Sequence, residues 1–288
     1  MCKYALFLGC TVPVRGLNYE QSVREVAKKL GIEFQDISDF TCCGFPVKSV
    51  DIETAMVMAS RNLAIAEREG YNICTLCSAC TSVLTETNKE LKENRRLRDR
   101  INKKLGDIAY NGTIEVKHFS RILYEDIGLK QIGNLIKKKL KGLKIAAHYG
   151  CHYLKPSEIY DKFDDPEVPE SMDKLIELTG AESIEYYGKN NCCGGGILGI
   201  KEEIALKMAK RKLDSIKSEN ADAIVSICPF CTIMYEGNQK KIEKTFETTY
   251  GIPVIYYPQL LGVAFGIPSE NLGFRLNKIK SEKISSYL

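Results

Sequence analysis

The sequence holds no run of about 18 apolar residues, so no transmembrane helix is expected. No secretory leader is expected: the apolar stretch from Tyr4 to Cys10 is too short for an h-region with a cleavage site and reads better as a first strand. Charge of one sign is not in excess. A net charge of +4 gives composition no case for nucleic acid. With 44% hydrophobic and 27% charged residues, the chain is globular, not disordered. The chain is therefore expected in a reducing cytoplasm, with no membrane span, where cysteine clusters are metal-binding or catalytic more often than disulfide staples. Its 288 residues suffice for two ordinary domains.

Cysteine is what the chain has. Ten of its twelve cysteines form two copies of one pattern. The first copy is Cys10, then Cys42-Cys43-Gly44, then Cys77-Ser78-Ala79-Cys80. The second is Cys151, then Cys192-Cys193-Gly194, then Cys228-Pro229-Phe230-Cys231. From lone cysteine to pair the gaps are 31 and 40 residues, and from pair to Cys-x-x-Cys they are 33 and 34. Cys2 and Cys74 fall outside the repeat. Val225 stands where the second copy would match Cys74, so Cys74 reads as a buried strand thiol.

Apolar runs and helical spacing predict strands over 4–9, 33–37, 71–76, 113–116, 143–150, 183–187, 223–227 and 253–256. Helices are expected over 19–30, 51–69, 82–105, 119–127, 169–179, 202–218, 232–246 and 259–265. The charge run 89–104 reads as a solvated helix face, 131–142 as a basic connector, and the polar tail from Asn271 as an extended arm. Strand–helix alternation predicts an α/β protein of two related halves, 1–141 and 142–288, with mostly parallel, Rossmann-like sheets. The lone cysteines and the Cys-x-x-Cys pairs then lie at strand C-terminal ends, where sites form in such sheets.

Structural disulfides are disfavoured, since vicinal pairs bridge themselves only under strain. Zinc takes four ligands, and each copy offers five thiols. An ordinary iron–sulfur cubane also takes four. Five thiols per copy suggest a cluster of unusual shape, although zinc stays open as the alternative. The neighbouring glycines permit close backbone approach to such a group.

This repeated pattern resembles the cysteine-rich CCG-domain family, and within it the CCG-domain subunit of the methanogen-type heterodisulfide reductase. The resemblance covers nearly the whole chain. It implies two non-cubane [4Fe-4S] clusters, one on Cys10, Cys42, Cys43, Cys77 and Cys80, the other on Cys151, Cys192, Cys193, Cys228 and Cys231. It implies reduction of the coenzyme M–coenzyme B mixed disulfide to two thiols. The chain has no fused ferredoxin region, so the implied partners are a ferredoxin-like iron–sulfur subunit, a flavin-containing subunit and, as a further candidate, a hydrogenase. Cleaving a disulfide takes two electrons, which gives a duplicated site a mechanistic reason. His152, next to Cys151, is the expected proton donor. Arg15, Lys48, Lys155 and Lys201, duplicated cations near the cysteines, are candidates to meet the anionic arms of that substrate. His148 reads as a satisfied core histidine, His118 is ambiguous, and Tyr149, Tyr153, Tyr186 and Tyr187 read as core packing. Two other functions remain: a CCG iron–sulfur subunit of a quinone-linked or 2-hydroxyacid dehydrogenase complex, and a zinc-stabilised docking protein without catalysis.

Overall fold

The computed structural model describes residues 2–288, with Cys2 described by its backbone alone. Cys2, which stands outside the repeat, therefore has its side chain outside the described residues. Eight short strands form: β1 Cys2–Phe7, β2 Ile32–Gln35, β3 Asn72–Thr75, β4 Val116–His118, β5 Lys144–His148, β6 Glu182–Ile184, β7 Ala223–Ser226 and β8 Val254–Tyr256. They make two four-stranded sheets of matching order, β2-β1-β3-β4 and β6-β5-β7-β8. Every pairing is parallel. The register matches too: Phe7 pairs with Thr75 as His148 pairs with Ser226. The α/β class, the duplication and the parallel sheets are as expected.

The two halves share their cores. Tyr19 of the helix Leu17–Leu30 stacks on Tyr256 at a ring separation of 4.0 Å. Its hydroxyl donates to the Ile227 carbonyl at 3.2 Å, and Nε2 of His118 lies 3.0 Å from the same oxygen. Two side chains from the first half thus grip the backbone just before Cys228. His118 is a structural residue: its Nδ1 accepts from the Ser120 amide, and burial pushes its pKa down to about 4.

Several expected elements differ. The helix over 82–105 starts earlier, at Ser78, and breaks into Ser78–Glu93 and Arg95–Leu105. Asn94 stands between them in an extended conformation, its side chain capping the Leu97 amide at 3.0 Å. The span 232–246 divides into Pro229–Thr232, a π-helical turn Ile233–Gly237, and Gln239–Thr245. Over 119–127 the chain is α-helical only to Arg121 and π-helical through Ile122–Ile127. The connector over 131–142 overlaps a short helix, Leu129–Asn134. The tail is no extended arm. Asn277 is buried, donates to the Val254 carbonyl at 2.8 Å and accepts from Gln259 Nε2 at 2.9 Å. Tyr187 is exposed, not core, whereas Tyr149, Tyr153 and Tyr186 are buried. No helix among the described residues is long and apolar enough to cross a membrane.

Candidate metal centre

Each part of the cysteine pattern has a local reason to fold as it does. Cys10 and Cys151 follow β1 and β5, just beyond their C-terminal ends. Gly44 and Gly194 sit at φ +90 and +82, where L side chains are rare. A Cβ at Gly44 would meet the Ala55 carbonyl at 2.7 Å, and one at Gly194 would meet the Ala205 carbonyl at 2.9 Å. The glycine after each cysteine pair therefore lets the turn lie flat on the following helix, Ile52–Arg68 in one half and Glu202–Ser218 in the other. Cys77 and Cys228 occupy the N-cap positions of Ser78–Glu93 and Pro229–Thr232, so Cys80 and Cys231 lie in first helical turns. Backbone amides of these turns act to favour thiolate at Cys77 and Cys228, although the neighbouring Cys228 thiol and burial raise Cys77 overall.

The thiols shift one another's pKa values in a chain that runs across both halves. Cys43 is pulled down to about 4 by hydrogen bonding from Cys42 first and then Cys80. Cys192 is pulled down to about 2 by Cys151 and then Cys193. Cys228 is lowered by Cys231 and then by Cys77, which belongs to the other half. The donors in these contacts shift upward in turn. Cys10 adjoins this network through Cys42, on whose thiol its charge acts. The Sγ atoms of Cys151 and Cys192 are 4.0 Å apart. The amides of Gly194 and Gly195 donate to Cys192 Sγ and Cys193 Sγ at 3.4 and 3.3 Å. All ten repeat cysteines are free thiols. Cys74 is buried in β3, outside the network, and burial alone raises its pKa.

A cavity of about 70 Å³ lies where the halves meet. Phe45 and Ser78 line it from the first half; Cys151, His152, Cys192 and Phe230 line it from the second. His152 thus sits beside the thiols, as its place in the sequence predicts. Its ring meets Phe45 edge-on at 4.9 Å. Burial pushes its pKa below the ordinary 6.5. Its Nδ1 is buried with no partner among the described residues.

The candidate cations do not converge on this cavity. Lys48 is ion-paired with Glu86, and both lie near enough to act on His152. Lys155 pairs with Glu167 at 2.6 Å on an exposed face. Lys201 is the exposed N-cap of Glu202–Ser218. Arg15 lines a separate, larger cavity of about 480 Å³ with Leu17, Asn18, Glu236 and Lys278.

Sequence reasoning missed three residues behind the second cysteine set. His148 is 1% exposed, yet its Nε2 has no partner among the described residues. A ring nitrogen of His148 and the sulfurs of Cys193 and Cys231 all lie within 4.8 Å of one another. Lys212 is 3% exposed, and its ammonium lies 3.2 Å from His148 Nδ1. Tyr235 is fully buried against the His148 ring, its hydroxyl unpaired among the described residues. Helical spacing was the available signal for Lys212. It shares the buried face of its helix with Ala205, Ala209, Leu213 and Ile216.

This donor set fits a thiolate-ligated anionic cluster. Ten thiols, glycine amides on sulfur and unpaired buried donors match how such clusters are held and tuned. Zinc fits less well: the compact group of His148, Cys193 and Cys231 supplies three ligands, one short of a structural zinc site.

Fold and site together define a duplicated, thiolate-rich protein of the iron–sulfur class. The chain belongs to the CCG cysteine-rich domain family, which matches residues 4–85 and 145–236. It is 37% identical, over 98% of its length and 95% of the relative's, to a ferredoxin/F420H2-dependent CoB-CoM heterodisulfide reductase subunit of Methanosarcina acetivorans. It is 31% identical to the 8-methylmenaquinol:fumarate reductase membrane anchor subunit of Wolinella succinogenes, over 98% of this chain and 99% of that one. A crystal structure of a hypothetical protein from Helicobacter pylori shares the fold, with a TM-score of 0.79 at 15% identity. That match covers 96% of this chain and 52% of the other.

Proposed function

We propose that this chain is the disulfide-reducing iron–sulfur subunit of a heterodisulfide reductase complex, acting on the coenzyme M–coenzyme B mixed disulfide in the cytoplasm. Residues 1–141 and 142–288 would each hold one non-cubane [4Fe-4S] cluster on their own five cysteines. The observation that carries this reading is the thiol network, whose two halves act on each other at Cys77 and Cys228 beside a cavity lined from both sides. When bound, such clusters supply single electrons and iron as a Lewis acid. Reduction consumes two electrons and two protons and yields two thiols. Phe45 and Phe230 wall the cavity against water. His152, with Nδ1 unpaired, holds a proton position next to the reacting sulfur. Two partner proteins, one ferredoxin-like and one flavin-containing, would deliver the electrons, and a hydrogenase is a further candidate partner.

Anaerobic purification with metal and sulfide counts tests this. The expected result is about eight iron and eight sulfide per chain, with cluster signals that change when the mixed disulfide is added. Zinc without sulfide would overturn the cofactor assignment. Iron–sulfur signals indifferent to the disulfide would overturn the substrate assignment. The similarity to the menaquinol:fumarate reductase subunit favours a second reading, an electron-transfer subunit linked to a quinol. Signals that respond to a quinol analogue and ignore the disulfide would select it.

A further inference from the structure

The two cysteine sets are matched in backbone but not in what surrounds them. By register from the lone cysteine, His148 corresponds to Phe7; both are paired at the end of the strand. By spacing from the glycine–helix contact, Lys212 corresponds to Asn62. By spacing from the Cys-x-x-Cys, Tyr235 corresponds to Leu84. All six side chains are buried. The first set therefore has an apolar and neutral backing, and the second has three polar groups.

Lys212 decides how those groups are arranged. An ammonium has three donors and accepts nothing. Lys212 uses them on His148 Nδ1 at 3.2 Å, the Lys189 carbonyl at 2.9 Å and the Asn191 carbonyl at 2.7 Å. With Nδ1 accepting, the neutral imidazole carries its hydrogen on Nε2, the atom that has no partner among the described residues. No carboxylate among the described residues pairs with Lys212. A buried cation without a counter-charge is strongly disfavoured. Burial pushes the Lys212 pKa down to about 8, and the charges that oppose this are Cys231, Cys193, Cys192 and Cys151, all of the second set. In the first half, Asn62 makes the corresponding loop contact without charge: its Nδ2 donates to the Cys42 carbonyl and its Oδ1 accepts from the Thr41 amide.

We propose that Lys212, His148 and Tyr235 form a cationic, hydrogen-donating shell that holds the second cluster at a higher reduction potential than the first. The inference rests on the two-cluster reading above. An added electron is stabilised by a nearby buried cation and by donors to sulfur, and this shell supplies both on one side only. The second site is thereby the resting place of the first electron shared between the two clusters.

The test is a redox titration of the full chain, purified anaerobically with its clusters and followed by electron paramagnetic resonance. The signal surviving in Cys43→Ala is assigned to the second site. Lys212→Asn, which copies the first half, is expected to lower that signal's midpoint and leave the other in place. The electron-sharing ratio should change about tenfold, or about 59 mV for a one-electron couple. A midpoint that does not move, rises, or moves equally at both sites overturns the proposal. If Lys212→Asn fails to fold, His148→Phe and Tyr235→Leu are judged by the same criterion. Iron and sulfide counts separate the two failures: their absence overturns the cofactor reading, whereas loaded clusters with unmoved midpoints overturn only the shell.

Discussion

His118 shows how a single side chain ties one half to its neighbour's candidate metal site. Both ring nitrogens are engaged, one on the Ser120 amide and one on the Ile227 carbonyl, and the ring is fully buried. Its folded pKa of about 4 lies below the ordinary 6.5 because burial penalises the charged form. The unfolded chain therefore binds more protons between those values, and stability falls as pH falls. The contribution should be complete above pH 6.5 and lost progressively toward pH 4, up to about 3 kcal/mol. Thermal midpoints measured from pH 7 to pH 4 should drop more steeply for the native chain than for His118→Gln; parallel slopes would remove His118 as the cause. At this scale the cysteines were legible and their neighbours were not. A repeat of ten identical residues is visible in one dimension. His148 and Tyr235 reach the second set only through strand register and helix phase, which separate them from Cys193 by dozens of residues.

Among the elements, strands were easier to read than helix ends. Short apolar runs such as Ala223–Ser226 have few alternatives, whereas a charged helix tolerates an asparagine in its middle and gives no sign of a break. Asn94 makes that break by capping Arg95–Leu105. The second helix then turns so that Ile101 is buried and Lys104 reaches Glu53 at 2.6 Å. Removing the cap with Asn94→Ala should cost about 1 kcal/mol, read as a lower denaturation midpoint with iron content unchanged. No loss would mean that packing of Ile101 alone sets the break. The tail over 271–288 misled for a related reason. Its polar composition suggests solvation, but Asn277 spends its polarity on Gln259, Asn18 and the Val254 carbonyl inside the fold.

For the molecule as a whole, the question is whether the two sites are one unit or two. Each set of five cysteines comes from its own sheet and its own helices, which argues that each loads separately. Against that, Cys77 and Cys228 shift each other's pKa, and Ile227 is held by Tyr19 and His118 from the other half. The contacts that cross also include the Tyr19–Tyr256 stack, the Phe45–His152 ring contact and the Asn18–Asn277 hydrogen bond, and they need no metal to form. Loss of one cluster should therefore leave the other bound but disturbed. In Cys43→Ala, iron is expected to fall from about eight to about four per chain, with the second signal retained and its line shape altered through Cys77 and Cys228. Complete loss of iron would show that the halves assemble their clusters only together. Retention of about eight would show that Cys43 is not required at the first site. Disulfide reduction needs two electrons at one bond, so the same variant should bind the mixed disulfide yet fail to turn it over, a split between binding and chemistry that a merely unfolded chain cannot give.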